Sequence, residues 1–238
     1  MAAWATEVKM PAMNQLPEVL PLGETAWLLE WPELSTADAF EAIQRALHCL
    51  TSQPLTGQLE LVPGFDSLTV HFDLGCAETP DPQALLAQLR AAENDVPAQP
   101  RLVTIPVCYD LSLAPDLEEI AHRHGLTVED VVEVHSSAEY RVQMIGFTPG
   151  FPYLAGLPAT LATPRRASPR LEVLKGSVAI GGVQTGIYPQ TSPGGWNIVG
   201  RTPVELFLPH QDPPTLLQPG DRVRFDPISL AEFKAGRG

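Results

Sequence analysis

Gly146-Phe147-Thr148-Pro149-Gly150-Phe151-Pro152-Tyr153-Leu154 opens, and Ser192-Pro193-Gly194-Gly195-Trp196-Asn197-Ile198-Val199-Gly200-Arg201-Thr202-Pro203 closes, the part of this chain that decides its fold. Between Met144 and Pro203 lie ten of the eighteen glycines and eight prolines. Such a density fixes turns and lets backbone pass close to other groups, so short strands joined by tight corners are expected rather than long helices. The same stretch holds Arg165, Arg166, Arg170, Lys175 and Arg201 against one acid, Glu172. It is therefore +4 in a chain of net charge −13, which leaves −17 for everything else. A basic, glycine-rich patch in an acidic protein is where an anionic ligand or an acidic surface would be held.

The surrounding composition narrows the function classes. Charged residues make up 18% and apolar residues 44% of 238 residues, enough to bury a sizeable core in one large or two smaller domains. An overall charge of −13 excludes general nucleic-acid binding, which needs many cations on phosphates. Cys49, Cys76 and Cys108 stand far apart with no C-x-x-C spacing, so neither a zinc site nor a disulfide framework is expected and a reducing cytoplasm is. Glu7, Lys9 and Pro11 interrupt the place where a secretory leader would be apolar, and no run has the length of a membrane span.

Outward from the central stretch, residues 1–22 have no period and read as a tail. Residues 23–97 form a small α+β pattern. Its strand at Ala26–Trp31 precedes a helix from Ser35 or Thr36, whose Phe40, Ile43, Leu47 and Leu50 share one face. Strands at Leu59–Val62 and Leu68–Phe72 follow, then a helix over Pro82–Ala92 capped by Asp81. A linker at Pro97–Pro100 separates this unit from residues 98–238. There Arg101–Tyr109 reads as a strand, Pro115–His124 as an acid-started helix closed by Gly125, and Thr127–His135 as a second short helix. From Glu139 to a last strand at Asp221–Phe225, short runs cut by Gly and Pro are the pattern of a β-barrel or sandwich.

Several residues carry possible chemistry. Pro164 and Pro169 stiffen a loop that presents Arg165, Arg166 and Arg170, either to water or as forks for a carboxylate or phosphate, and Arg201 is a further cation of this kind. Phe147, Pro149 and Phe151 make a rigid loop that forms either packing or a preorganised wall; Trp196 is a core plug or a ligand platform. The run Lys175–Gly186 lacks both phosphate-loop spacings and reads as a strand with a corner at Gly181-Gly182. Gln184 and Thr185, just past that corner, are candidate hydrogen-bond donors to a cleft. His135, before Ser136-Ser137, is the histidine to consider as a base. No metal-ligand spacing is present.

The motifs quoted above, with Pro164-Arg165-Arg166, Gly176-Ser177-Val178-Ala179-Ile180, Gln184-Thr185-Gly186-Ile187-Tyr188-Pro189, Val62-Pro63-Gly64-Phe65-Asp66-Ser67-Leu68 and Ile105-Pro106-Val107-Cys108-Tyr109, occur in an order that resembles the 5-oxoprolinase B-subunit family. That family is also described as allophanate hydrolase subunit 1-like and includes sensor-kinase inhibitors. The resemblance implies an α+β N-terminal domain followed by a cyclophilin-like β-barrel domain. It implies a heteromeric, ATP-dependent enzyme that opens the lactam of 5-oxoproline to glutamate. A homologous C-subunit and a third, ATP-dependent subunit would be partners, with ATP used by the complex and not bound by this chain alone. Alternatives within the resemblance are inhibition of a sporulation-type sensor histidine kinase and a role in an allophanate hydrolase or urea carboxylase-type enzyme. Carried onto this sequence, the expected substrate-binding set is Arg165, Arg166, Arg170, Phe147, Pro149, Phe151, Tyr188, Ser192, Trp196 and Arg201, and the expected catalytic set is Gln184, Thr185 and His135.

Overall fold

A computed structural model of the chain describes residues 15–73, 75, 81–92 and 100–236. The chain divides into two units, Met1–Ala98 and Gln99–Gly238. The first is α+β and the second a closed β-barrel, as the sequence pattern and the resemblance led us to expect.

In the first unit, β1 (Glu18–Pro21), β2 (Ala26–Glu30), β3 (Gln58–Pro63) and β4 (Ser67–Phe72) form an antiparallel sheet in the order β1-β2-β4-β3. Helix α1 (Thr36–Ser52) and helix α2 (Pro82–Ala91) belong to the same unit. Ser35 caps α1 by accepting the Asp38 N–H at 3.3 Å, and the proline at the start of α2 stands where its missing N–H costs nothing. The apolar face of α1 buries Phe40, Ile43 and Leu50, while Leu47 is partly buried. Leu68, Val70 and Phe72 meet that face from β4, and each such side chain contributes about 1.5–3 kcal/mol by leaving water. The expected tail over residues 1–22 needs correction, because Glu18–Pro21 is a strand with Val19 opposite Leu29. Of the three residues between Pro17 and Pro21 only Val19 and Leu20 are apolar, too few for a period, and proline is tolerated here because β1 is an edge strand. Residues 1–14 of that tail, and all of the linker except Pro100, lie outside the described residues.

The second unit contains β5 (Leu102–Cys108), α3 (Leu117–His124), α4 (Val128–Ser137), β6 (Glu139–Ile145), β7 (Pro152–Ala155), β8 (Arg170–Val173), β9 (Ser177–Gly181), β10 (Gln184–Ile187), β11 (Ser192–Gly194), β12 (Asn197–Arg201), β13 (Arg222–Ile228) and α5 (Leu230–Lys234). Seven strands close in the order β10-β7-β6-β13-β5-β12-β9, with β13 and β5 parallel and the other pairs antiparallel. Helix α3 ends at Gly125, whose φ of 65° is the left-handed conformation glycine takes without a Cβ clash. Two residues later, Thr127 and Asp130 form a reciprocal capping box for α4.

Strand alternation divides the apolar residues of the barrel between two layers. Val178, Ile180 and Val199 join Ile105, Val107, Val142, Leu154 and Phe225 in the main core. Their neighbours Ala179 and Ile198 point the other way and pack with Phe151, Val173, Tyr188 and Trp196 in a second cluster. A separate ribbon of β8 and β11 joins that second layer through Val173.

Candidate ligand cleft

Two glycines create the seat of the second layer. A Cβ at Gly181 would come well inside contact with the indole of Trp196, and one at Gly186 would come within 2.9 Å of Phe151. The rings therefore lie directly on the backbones of β9 and β10, which is why these two strand positions carry no side chain. Phe151 meets Tyr188, Trp196 and Tyr153 edge-on, with ring centroids 5.2, 5.5 and 5.0 Å away. Such pairs contribute about 0.5–1.5 kcal/mol each beyond area burial. They also line a cleft of about 310 Å³ together with Phe147, Arg165, Arg166, Pro169, Pro193, Gly194 and Gly195. That volume lies near the low end of the roughly 300–1,000 Å³ common for small-molecule sites.

Phe147 forms the rim and is 60% exposed. Its φ of 65° lies in the left-handed region, and the Thr148 N–H donates to the Gly146 carbonyl across it at 2.7 Å. A hydrogen bond from i+2 to i with positive φ is a γ-turn, rare and strained for a residue with a Cβ. Gly146 N–H to Phe151 O at 3.1 Å and Phe151 N–H to Thr148 O at 3.0 Å hold the loop in this shape. The strain at Phe147 yields a test. Phe147→Gly removes about 1–2 kcal/mol of backbone strain and loses two edge contacts of similar total value, so unfolding free energy is expected to stay within about 1 kcal/mol of the parent. Ligand affinity is expected to fall about fivefold because a wall is gone. Denaturant titration and a binding isotherm check this; a large loss of stability would make Phe147 a packing residue.

The three loop arginines have different fates. Arg165 is exposed, and its guanidinium stands 5.8 Å from the centroid of Trp196, within cation–π range. Arg166 donates to Asp116 Oδ1 at 2.7 Å, and Arg170 donates to both Asp116 oxygens at 2.8 Å. Arg170 is therefore not a free fork as expected, and it does not line the cleft. Arg166 lines the cleft while its Nε is buried without a partner. Arg201 donates through Nε to the Lys175 carbonyl at 2.8 Å and covers Phe233, so its expected place in the cleft is also corrected. Burial pushes the Tyr188 phenol upward, opposed in part by a hydrogen bond with the Trp196 backbone and by the charge of Arg165.

The expected catalytic set does not assemble at the cleft. His135 is fully buried in the barrel, with Nδ1 2.9 Å from the Tyr109 hydroxyl and Nε2 3.0 Å from Thr185 Oγ1. Thr185 gives its own proton to the Ala179 carbonyl at 3.0 Å, so both residues are committed inside the core. Gln184 donates to Gln143 Oε1 at 2.8 Å and lies outside the cleft lining. Ser192 donates to the neighbouring Pro193 carbonyl, and Pro149 is exposed on the rim loop; neither lines the cleft. The structure brings together Phe147, Phe151, Arg165, Arg166, Tyr188 and Trp196. It adds Tyr153, which strand alternation opposite Leu154 could have placed, and Asp116, which has no local signal beyond starting a helix. Among the described residues no group of three or more His, Cys, Asp or Glu side chains is arranged for a metal, and no helix is long and apolar enough to cross a membrane.

Residues 17–217 match the family described as carboxyltransferase domain, subdomain C and D. The 5-oxoprolinase B-subunit of Bacillus subtilis is 38% identical over 229 residues, covering 92% of this chain and 95% of the relative. The protein of that name from Escherichia coli O157:H7 is 44% identical over 211 residues, covering 87% and 94%. The urea amidolyase of Lachancea kluyveri is 32% identical over 133 residues, which is 51% of this chain and 7% of that protein. Among solved structures, TTHA0988 superposes with a TM-score of 0.69 at 39% identity, covering 86% of this chain; the chain spans only 40% of TTHA0988. The Kluyveromyces lactis urea amidolyase shares the fold, with a TM-score of 0.67 at 24% identity over 92% of this chain and 15% of that one.

Proposed function

This chain belongs to the 5-oxoprolinase B-subunit family, and on that premise we propose that it is one component of an ATP-dependent 5-oxoprolinase and supplies a wall of the substrate site. The observation that carries this reading is the cleft itself, an aromatic trough with Arg165 at its rim. 5-Oxoproline is a flat lactam ring bearing a carboxylate. The rings of Phe147, Phe151, Tyr153 and Trp196 offer apolar faces and edges to the ring, and Arg165 offers a guanidinium to the acid. Water then adds across the lactam C–N bond to give the γ-carboxylate and the free amine of glutamate. ATP hydrolysis drives the opening, and the absence of a phosphate-loop spacing in this sequence supports a nucleotide site on another chain of the complex. The partners are the homologous C-subunit and the ATP-dependent subunit, and the complex works in the cytoplasm.

The test is reconstitution of the three subunits with glutamate and ADP measured together. Glutamate formation is expected to require ATP and every subunit. A charged hydrogen bond is worth about 1.5–3 kcal/mol, so Arg165→Ala is expected to lower kcat/KM for 5-oxoproline about ten- to a hundredfold. Unchanged kcat/KM would remove Arg165 from the site. Urea and allophanate belong in the same assay, because the urea amidolyase match covers half of the chain; turnover of either in preference to 5-oxoproline would reassign the substrate.

A further inference from the structure

Arg165 is the cleft cation with no ion-pair partner among the described residues, yet it sits on an exposed loop where a long side chain ordinarily roams. Both of its chain neighbours are fixed. On one side the Pro164 carbonyl accepts from Asn197 Nδ2 at 2.9 Å; on the other the Arg166 N–H donates to the Gly195 carbonyl at 2.8 Å. The Arg166 side chain is then held by Asp116 at 2.7 Å, and Arg170, at the far end of the same loop, is held by both oxygens of that carboxylate.

Asp116 occupies the N-cap position of α3 but does not cap it. Its side chain instead accepts the two guanidinium groups and the Ile198 N–H, the last at 2.6 Å, while its own N–H donates to the Ile198 carbonyl at 3.1 Å. With a side chain only 3% exposed, the carboxylate has four donors. A buried ion cluster contributes little net stability against an apolar replacement, because desolvation offsets its Coulomb attraction. What it does provide is one geometry. Three elements meet at Asp116: the start of α3, strand β12, and the loop from Pro164 to Arg170.

We infer that Asp116 is a positioning residue for the cleft: by clamping Arg166 and Arg170 it sets the loop so that the Arg165 guanidinium stands over Trp196, ready for a carboxylate. The inference rests on the proposed anion-binding role of the cleft and goes beyond it, since Asp116 does not line the cleft. It also assigns a role to the arginines that the sequence suggested as direct grips. They carry the loop and leave Arg165 as the free charge.

Steady-state kinetics of the reconstituted complex, with L-5-oxoproline as the varied substrate, tests this in a cycle of Arg165→Ala, Asp116→Asn and the double variant. Misplacing a binding group by about an ångström costs up to a hundredfold. Asp116→Asn is accordingly expected to raise KM about tenfold, with kcat changed less than threefold. If Asp116 acts through Arg165, the double variant has the KM of Arg165→Ala alone. Additive effects overturn the positioning role while leaving the cleft assignment standing. Unchanged kcat/KM for Arg165→Ala overturns the cleft assignment itself. Should Asp116→Asn fail to assemble, Arg170→Gln loosens the same clamp from its more exposed side, and the same non-additivity with Arg165→Ala is expected; additivity there counts against the inference equally.

Discussion

Trp196→Ala is expected to destabilise the barrel unit by about 3–5 kcal/mol, the range for removing a large aromatic from a packed site. The indole is 5% exposed and meets Phe151 and Tyr153 at centroid distances of 5.5 and 5.8 Å. It also lies on Gly181 and under Arg165. Removing it therefore opens a cavity beneath the cleft and takes away the face over which Arg165 stands. Gly181→Ala attacks the same contact from below. A methyl group there has nowhere to go, because the indole ring is rigid and β9 is paired on both sides by β10 and β12. Both variants should lower the urea midpoint and weaken 5-oxoproline binding together. Trp196 is the only tryptophan after Trp31, so its fluorescence reports the displacement in Gly181→Ala when Trp4, Trp27 and Trp31 are replaced by Phe. A loss under about 1 kcal/mol for Trp196→Ala would mean that the ring is an interchangeable platform and not the plug of the second layer.

The parts of this architecture that were legible in the sequence are those governed by local period and local caps. Phe40, Ile43 and Leu50 recur at helical spacing and are buried on α1; Leu68, Val70 and Phe72 alternate and are buried on β4. Gly125 and Thr127 mark the end of α3 and the start of α4 because their chemistry acts within one turn. The cleft was half legible, since Phe147, Phe151, Tyr188 and Trp196 lie in one Gly- and Pro-rich stretch. Charge partners were not. Asp116 is 50 residues from Arg166 and 54 from Arg170, and nothing near Asp116 in sequence distinguishes it from an ordinary helix-starting acid. The three arginines looked equivalent in sequence because their loop chemistry is the same; one carboxylate from another element separates them. His135, beside Ser136-Ser137, was the histidine to consider as a base, but Tyr109 and Thr185, 26 and 50 residues away, enclose it.

That enclosure gives the second large effect, on acid stability. Thr185 donates its hydroxyl proton to the Ala179 carbonyl, so its oxygen accepts from His135 Nε2–H, and Nδ1 is left to accept from the Tyr109 hydroxyl. One neutral tautomer satisfies all of these bonds. Phe225 stacks on the ring at 4.8 Å and 6°, and Tyr140 donates to the His135 carbonyl at 2.6 Å, so these contacts supply no counter-charge for an imidazolium. Burial accordingly lowers the His135 pKa from 6.5 to about 3. Between those values the unfolded chain binds a proton that the native barrel refuses. Stability contributed by the neutral ring is complete above pH 6.5 and is lost as pH falls toward 3, at up to about 1.4 kcal/mol per pH unit. Protonation that does occur at low pH reverses the Tyr109 bond, since Nδ1–H can then only donate, and leaves the buried phenolic O–H without that acceptor. His135→Gln removes the titration and is destabilising at neutral pH, because an amide cannot reproduce both bonds. The decisive quantity is the slope of unfolding free energy against pH from about 6 to 4. Carboxylates affect parent and variant alike, so the parent slope should exceed that of His135→Gln by about 1 kcal/mol per unit. Equal slopes would mean that His135 titrates near its ordinary value and that the ring reaches water, which would return it to consideration as a base.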